Sequence, residues 1–166
     1  MLSRNLRDGE LTLVDGAGTS LTVVLDDGDL SWTETLATLE VLDRGSLAGG
    51  HTRPGDDVPV DLSFTAKWTQ LIREIPTGGG TPGPFGLYEF LTVSGDVEST
   101  SGEGEQATIT LHFTVVDPAG GATERVTFDR VYRQTLTMSE GEDANRIAFA
   151  GRSFRPRPTI ERLAVS

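Results

Sequence analysis

The chain of 166 residues is 36% apolar, contains no cysteine, and carries 25 acidic against 14 basic side chains, a net charge of −11. The absence of cysteine excludes thiolate metal sites and cysteine nucleophiles, and the acidity argues against a general nucleic-acid-binding protein, which needs clustered Lys and Arg. No apolar run approaches the roughly 20 residues of a membrane span, and the N-terminus lacks the apolar stretch of a signal peptide, so we expect one soluble domain over residues 1–166 without a membrane anchor.

Alternation of apolar and polar residues predicts that most of the chain forms β-strands. The predicted strands are 10–14, 21–25, 37–44, 58–68, 107–116, 123–128, 131–138 and 146–154. The two longest uninterrupted patterns, 58–68 and 107–116, place apolar residues on one face and polar residues on the other. Segments rich in Gly, Asp and Pro separate the strands, and those at 15–18 and 117–121 are typical of hairpin loops.

One helix and three loops complete the predicted elements. Leu87, Phe90 and Leu91 have helical spacing, which predicts a helix at about 85–93. We expect loops at 46–57, 76–84 and 98–105, since these segments are rich in Gly, Pro or acidic residues. The predicted fold class is mainly β, an antiparallel barrel or sandwich with one short flanking α-helix.

Enzyme motifs are absent from the sequence. There is no nucleophile elbow, phosphate-binding loop, dinucleotide fingerprint or zinc-protease helix motif. The only histidines, His51 and His112, lack ligand spacing, and Asp26–Asp29 lacks the pattern of a calcium loop. Acidic pairs such as Asp56 and Asp57 fall in a predicted exposed loop, where solvated carboxylates are expected. We therefore predict no enzyme activity, no metal and no cofactor.

Basic residues concentrate near the C-terminus. Residues 51–120 hold 3 basic and 10 acidic groups, whereas residues 121–166 hold 8 and 6. We expect an extended, Arg-rich tail at 152–166 that pairs with acidic groups of a neighbouring subunit. The candidate arginines are Arg152, Arg155, Arg157 and Arg162. The simpler alternative is a solvated surface with local ion pairs.

The order of these elements resembles the tail tube (major tail) proteins of long-tailed bacteriophages, and also injection-system tube proteins. The likeness spans TLEVLDRGSLAGG (38–50), DDVPVDLSFTAKW (56–68), FGLYEFL (85–91), ATITLHFTVVD (107–117) and the segment 124–158. It implies a structural virion protein, assembled in the host cytoplasm, with six copies per ring and rings stacked into a tube that conducts DNA. The implied partners are copies of itself and tape-measure, baseplate, terminator and sheath proteins.

Strands with one wholly polar face are suited to line a water-filled channel. Four such strands from each of six subunits would close a barrel about 45–50 Å across, and an acidic lumen would let DNA pass without binding it. The predicted lumen-lining residues are Glu40, Asp61, Ser63, Thr65, Thr108, Thr110, His112, Thr114 and Asp129.

The loop at 46–57 is the predicted ring-stacking element, because it is long, Gly-rich and carries one isolated apolar residue. Its candidate residues are Leu47, Gly49, Gly50, His51, Arg53, Asp56 and Asp57. The main alternative function is a small β-sandwich that binds a carbohydrate or another ligand on an aromatic platform built from Trp32, Trp68, Tyr88 or Tyr132. Trp68 falls on the apolar face of its strand, which favours the core instead. An acid–base hydrolase on a β-scaffold is the third possibility.

Overall fold

The computed structural model describes residues 9–23, 30–67, 86–116, 122–142 and 145–164. These residues form ten strands and one helix, which are listed here in chain order. They are β1 (Gly9–Val14), β2 (Ser20–Val23), β3 (Ser31–Thr33), β4 (Thr38–Asp43), β5 (Ser46–Pro54), β6 (Val60–Lys67), α1 (Leu87–Thr92), β7 (Ile109–Val116), β8 (Ala122–Ser139), β9 (Arg146–Ser153) and β10 (Thr159–Ala164).

Eight of the strands form one antiparallel sheet. Its order is β2-β1-β7-β8-β9-β6-β3, with β10 paired to β8. β9 pairs with the C-terminal half of β8 and β10 with its N-terminal half. The mainly β, antiparallel fold with one short helix confirms the predicted fold class. Within the described residues β2 and β3 lie at opposite ends of the sheet, so these strands do not close a barrel.

Strict alternation in β6 and β7 buries one face of this sheet. The buried residues of β6 are Val60, Leu62, Phe64 and Ala66, and those of β7 are Ile109, Leu111, Phe113 and Val115. α1 adds Leu87, Phe90 and Leu91 to the same apolar cluster. The sheet curls over this core, because Trp32 of β3 contacts the Phe128 ring of β8, three strands away, with 5.4 Å between ring centroids.

The long strand β8 joins two segments that the sequence predicts as separate strands. Its register shifts opposite β7 and again opposite β9, as β-bulges do. Arg130, at the first shift, has a positive φ of 52°. At the second shift Gly151 lets β9 approach closely, because a Cβ atom there would collide with the backbone oxygen of Tyr132 and the ring of Phe149.

The prediction of a loop at 46–57 is wrong, since most of this segment is strand β5. Arg44 and Gly45 both have positive φ, 49° and 76°, and Asp43 pairs with Ser46 across them. This is the geometry of a two-residue hairpin turn. β4 and β5 form a separate two-stranded sheet, which we call the arm (residues 38–54).

The prediction of an extended tail at 152–166 is also wrong. Arg152 belongs to β9, and after a five-residue connection the chain continues along β8 as strand β10. The sequence prediction missed β3, which has only three residues, and β10, which it assigned to the extended tail. The described part of the predicted helix is Leu87–Thr92.

Several predicted features lie outside the described residues: the turns at 26–29 and 117–121, the loop at 76–84, Trp68, and Phe85, where the helix is predicted to begin. The helix itself begins at Leu87, after the extended N-cap residue Gly86. No described helix is both long and apolar enough to span a membrane.

Candidate assembly surfaces

Four neighbouring strands, β3, β6, β9 and the C-terminal half of β8, present a continuous polar surface on the side away from the core. We call this surface the polar face. Its cross-strand rows are Thr33–Asp61–Arg152–Tyr132, Ser31–Ser63–Ala150–Thr135, Thr65–Ala148–Thr137 and Lys67–Arg146–Ser139. The predicted lumen residues Asp61, Ser63 and Thr65 therefore lie together, and most of their neighbours are small and uncharged.

The one acidic residue in the described rows of the polar face, Asp61, is paired with an arginine of the same face. Arg152 donates a hydrogen bond of 2.6 Å from Nε to Oδ1 of Asp61, and this bond raises the pKa of the guanidinium. The hydroxyls of Ser31 and Ser63 lie 3.0 Å apart. Among the described rows Asp61 is the only acidic residue, whereas Lys67 and Arg146 add positive charge at one end. The acidic lumen predicted from the sequence is therefore not found on this face.

A second outward surface lies on the other half of the sheet. Thr110, His112 and Thr114 of β7 alternate with its buried residues, as predicted. Nδ1 of His112 lies 2.9 Å from Oγ1 of Thr127. Burial, and then the charge of Arg125, lower the pKa of the His112 imidazole, so that its neutral form is favoured.

Two predicted lumen residues lie on neither surface, and a third lies at an irregularity. Thr108 precedes β7 and is buried, with its hydroxyl 2.7 Å from that of Thr100, so its assignment to the outward face is wrong. Glu40 lies on the arm, which has no buried side because no core covers it. Asp129 is half-buried beside the β8 bulge, where its carbonyl accepts a hydrogen bond from Ser153.

The arm carries apolar side chains that this subunit does not bury. Every residue of β4 is exposed, and β5 is exposed except for the half-buried Gly50. Exposed apolar residues of the arm are Leu39 (59%), Val41 (39%), Leu42 (47%) and Leu47 (76%). The predicted stacking residues Gly49, His51 and Arg53 also lie on β5, and Asp56 and Asp57 follow it as exposed residues.

Two of the four arginines assigned to inter-subunit pairing have partners within the chain. Arg152 pairs with Asp61, and Nε of Arg162 lies 3.2 Å from Oε2 of Glu124. β9 and β10 fold back onto the sheet and bring both arginines to acidic residues of their own subunit, and their pairing with a neighbouring subunit stays a prediction. Arg155 and Arg157 are exposed in the connection between β9 and β10.

The polar face ends at strand edges without a described partner. β7 pairs with β8 only as far as Val131, which leaves Tyr132–Ser139 paired on one side alone within the described residues. The far edge of β3 is likewise unpaired by any described strand. The described residues of the β8 edge include one charged residue, Arg133, and no proline, so they carry few of the side chains that usually protect an exposed edge.

Two clefts flank these edges. One of about 450 Å³ is lined by Glu105, Gln106, Thr108, Arg130, Tyr132 and Phe154. The other, of about 340 Å³, lies between the base of the arm and residues 156–157. The described residues contain no cluster of His, Asp and Glu suited to hold a metal ion.

Solved structures from contractile injection systems resemble this chain over nearly its full length. The sheath/tube terminator of the extracellular contractile injection system PVC, in its extended state, superposes with a TM-score of 0.58 and 10% identity, covering 97% of this chain and 98% of that one. The anti-feeding prophage cap, a tube-terminating cap, gives 0.54 and 11%, covering 99% and 93%. A chain of the extended PVC sheath–tube complex gives 0.50 and 11%, covering 96% and 90%.

The chain has the fold of these tube-terminating proteins. At 10–11% identity the likeness establishes the fold alone. No protein-family model and no curated protein sequence matches the chain.

Two of the aromatic residues proposed for a ligand platform, Trp32 and Tyr132, lie on opposite sides of the sheet, and Trp68 is outside the described residues. Trp32 pairs with Leu62 on the buried side of the sheet, whereas Tyr132 pairs with Arg152 on the polar face. Tyr88 lies on α1. The structure therefore gives no support to the carbohydrate-binding alternative through Trp32 and Tyr132.

Sequence reasoning missed the apolar residues that precede β5. Leu36 (81% exposed), Leu39 and Leu42 fall in or beside a predicted strand, and an alternating or apolar run is normally assigned to a core. The available signal was Asp43-Arg44-Gly45-Ser46, a short turn between two strands, which would have predicted the hairpin.

Proposed function

We propose that this protein is a non-catalytic structural subunit that assembles into rings of a phage-tail or contractile-injection tube. One observation carries the proposal: a four-stranded face is polar from edge to edge, is backed by an apolar core, and ends at strands that no other described strand pairs with. A monomer gains nothing from such edges, whereas a ring of identical subunits would bury them.

Ring closure would join the β8 edge of one copy to the β3 edge of the next. Strand directions alternate along β8-β9-β6-β3, so a neighbouring β3 would run antiparallel to β8 and continue the sheet. A contact between two different surfaces of identical subunits generates a closed ring when the rotation fits. Six copies would contribute 24 strands, and at the usual spacing and tilt the barrel would measure about 48 Å between backbones.

The arm would contact a copy in an adjacent ring. Its exposed leucines form an apolar surface of the kind that marks protein–protein contacts. Arg155 and Arg157 remain candidates for ion pairs with acidic residues of a neighbour. Sheath and tube proteins are the expected partners, because the resembling chains come from sheath and tube assemblies.

Passage of DNA stays part of the proposal, with a changed physical basis. In the middle rows of the polar face, Ser63, Ala150 and Thr135, and likewise Thr65, Ala148 and Thr137, are short and uncharged. These middle rows give phosphate groups no basic cluster to bind, whereas Lys67 and Arg146 lie together in the row at one end. Along the middle of the face, weak binding to the cargo would therefore follow from neutrality rather than from repulsion.

A terminating ring is the second candidate, favoured because a terminator and a cap superpose with TM-scores of 0.58 and 0.54, against 0.50 for the sheath–tube chain. The two candidates differ in whether the assembled particle grows in length. A tube subunit should give particles that lengthen with concentration, whereas a terminator should stop at one ring or a pair of rings.

The test combines mass photometry with negative-stain imaging of the purified protein over a concentration series. We expect rings with masses that are multiples of 17.8 kDa, and a ring of six copies would have a mass of about 107 kDa. Persistent monomers at high concentration in mild salt would overturn the proposal.

The orientation of the polar face can be tested independently, because the chain has no native cysteine. Ala148 on this face and Thr22 on β2 are both exposed. A maleimide gold label can therefore reach the cysteine of either variant, Ala148→Cys or Thr22→Cys. Gold at the centre of rings for the first variant and at their periphery for the second is the expected result. Peripheral gold for Ala148→Cys would show that the face does not line the channel.

A further inference from the structure

Leu36 is the most exposed large apolar residue of the described chain, at 81%. It follows β3 by three residues and lies in an exposed, non-strand segment with Glu34 and Thr35. The segment is held at both ends, by the pairing of Thr33 with Asp61 and by a hydrogen bond from the Gly55 N–H to the Ala37 carbonyl. Leu36 is therefore presented from a fixed position beside the unpaired β3 edge.

The cleft of about 450 Å³ lies where the unpaired β8 edge begins, since Tyr132 lines the cleft and is the first residue of that edge. Its aromatic wall includes Phe154, which is 56% exposed. The Arg130 guanidinium lies 5.1 Å from the centre of the Phe154 ring, and its Nη2 lies 3.2 Å from Oε2 of Glu105.

The backbone also fixes the shape of this cleft. Arg130 adopts a positive φ that non-glycine residues rarely adopt. The N–H of Phe154 donates to the Arg130 carbonyl, and the Ser153 hydroxyl donates to the neighbouring Asp129 carbonyl. The aromatic ring and the guanidinium are thus positioned before any partner arrives.

We propose that Leu36 of one copy inserts into this cleft of the next copy in the ring. The inference rests on the ring arrangement of the proposed function. In that arrangement β3 of one copy runs antiparallel to β8 of its neighbour, so residues that follow β3 lie toward the start of the β8 edge, where the cleft opens.

Charge supports the same pairing of surfaces. Glu34 is exposed beside Leu36, and Arg133 is exposed beside Tyr132. Their opposite charges would lie on the two sides of the subunit boundary, and such complementarity favours the approach of these two edges.

A double-cysteine variant, Leu36→Cys with Gln106→Cys, tests the contact directly. Gln106 is exposed and lines the cleft, and no native thiol competes. A short homobifunctional maleimide applied to preformed rings should yield a ladder of covalent multimers on denaturing gels. The matched control, Leu47→Cys with Gln106→Cys, moves the first thiol to another exposed leucine, on the arm, and should give no ladder of comparable yield.

The outcomes separate this inference from the proposed function. Rings that form normally but show no ladder, or an equal ladder in the control, would refute the insertion of Leu36 and leave ring assembly standing. A parent protein that never forms rings would refute both.

A second measurement uses Leu36→Ser. Because the side chain is almost fully exposed in the free subunit, the substitution should leave the unfolding temperature unchanged but raise the concentration for ring assembly about tenfold. The control Tyr88→Ser removes an aromatic side chain on α1 that is 38% exposed, and should leave the assembly concentration unchanged. An unaltered assembly concentration for Leu36→Ser would also overturn the inference.

Discussion

Removing the apolar side chains of the arm should block the stacking of rings, while single rings still form and the subunit stays folded. The variant replaces Leu39, Val41, Leu42 and Leu47 with threonine, which keeps the strand preference of the hairpin. Their exposed fractions of 59, 39, 47 and 76% amount to about two complete aliphatic side chains. At about 1.5–3 kcal/mol for each buried side chain, the lost contact would be worth about 3–6 kcal/mol per copy, or about 10²–10⁴-fold in concentration.

Mass photometry over a dilution series measures this shift, and thermal unfolding monitors the fold. The arm lies outside the apolar core, so the unfolding temperature of the body should stay unchanged. Tyr88→Ser on α1 is the control for removing an exposed apolar group. If the arm variant assembles at the same concentration as the parent, the arm is not an interface and the reasoning from its exposed leucines fails.

The remaining predictions concern the fold and its response to pH. Phe149→Ala should lower the free energy of unfolding by about 3–5 kcal/mol in urea titrations, because this buried ring stacks on Phe64 with 5.1 Å between ring centroids. A loss below about 1 kcal/mol would contradict its place in the core. Asp15→Ala should lower the free energy of unfolding by about 1–3 kcal/mol for each backbone N–H left without an acceptor, since the buried carboxylate accepts hydrogen bonds from the N–H groups of Ala17, Thr19 and Glu98. Asp15→Asn keeps one oxygen and should lower it less. Equal losses of stability in the two variants would refute this role of the carboxylate. For His112, a folded-state pKa lowered from 6.5 means that the unfolded chain binds the proton more readily. Stability should therefore fall as the pH drops below about 6.5 toward the lowered pKa, and His112→Gln should remove that part of the dependence; an unchanged pH profile in the variant would assign the effect to other groups.

The sequence determined the faces of the main strands. In 58–68 and 107–116 the alternation of side chains is a local property of extended backbone, and the buried positions from Val60 to Ala66 and from Ile109 to Val115 follow it. The helical spacing of Leu87, Phe90 and Leu91 likewise predicted α1. Both periodicities require a core on one side and do not depend on which element supplies it.

Only the tertiary structure decided which strands are neighbours, and therefore which surfaces exist. The leucines of β4 look like core residues in sequence, but among the described strands their hairpin pairs only with itself, and every residue of β4 is exposed. Arg152 and Arg162 meet acidic residues of their own chain because β9 and β10 both align along β8. Pairing between strands joins residues far apart in sequence, so local patterns specify the face of a strand but neither its neighbours nor its free edges.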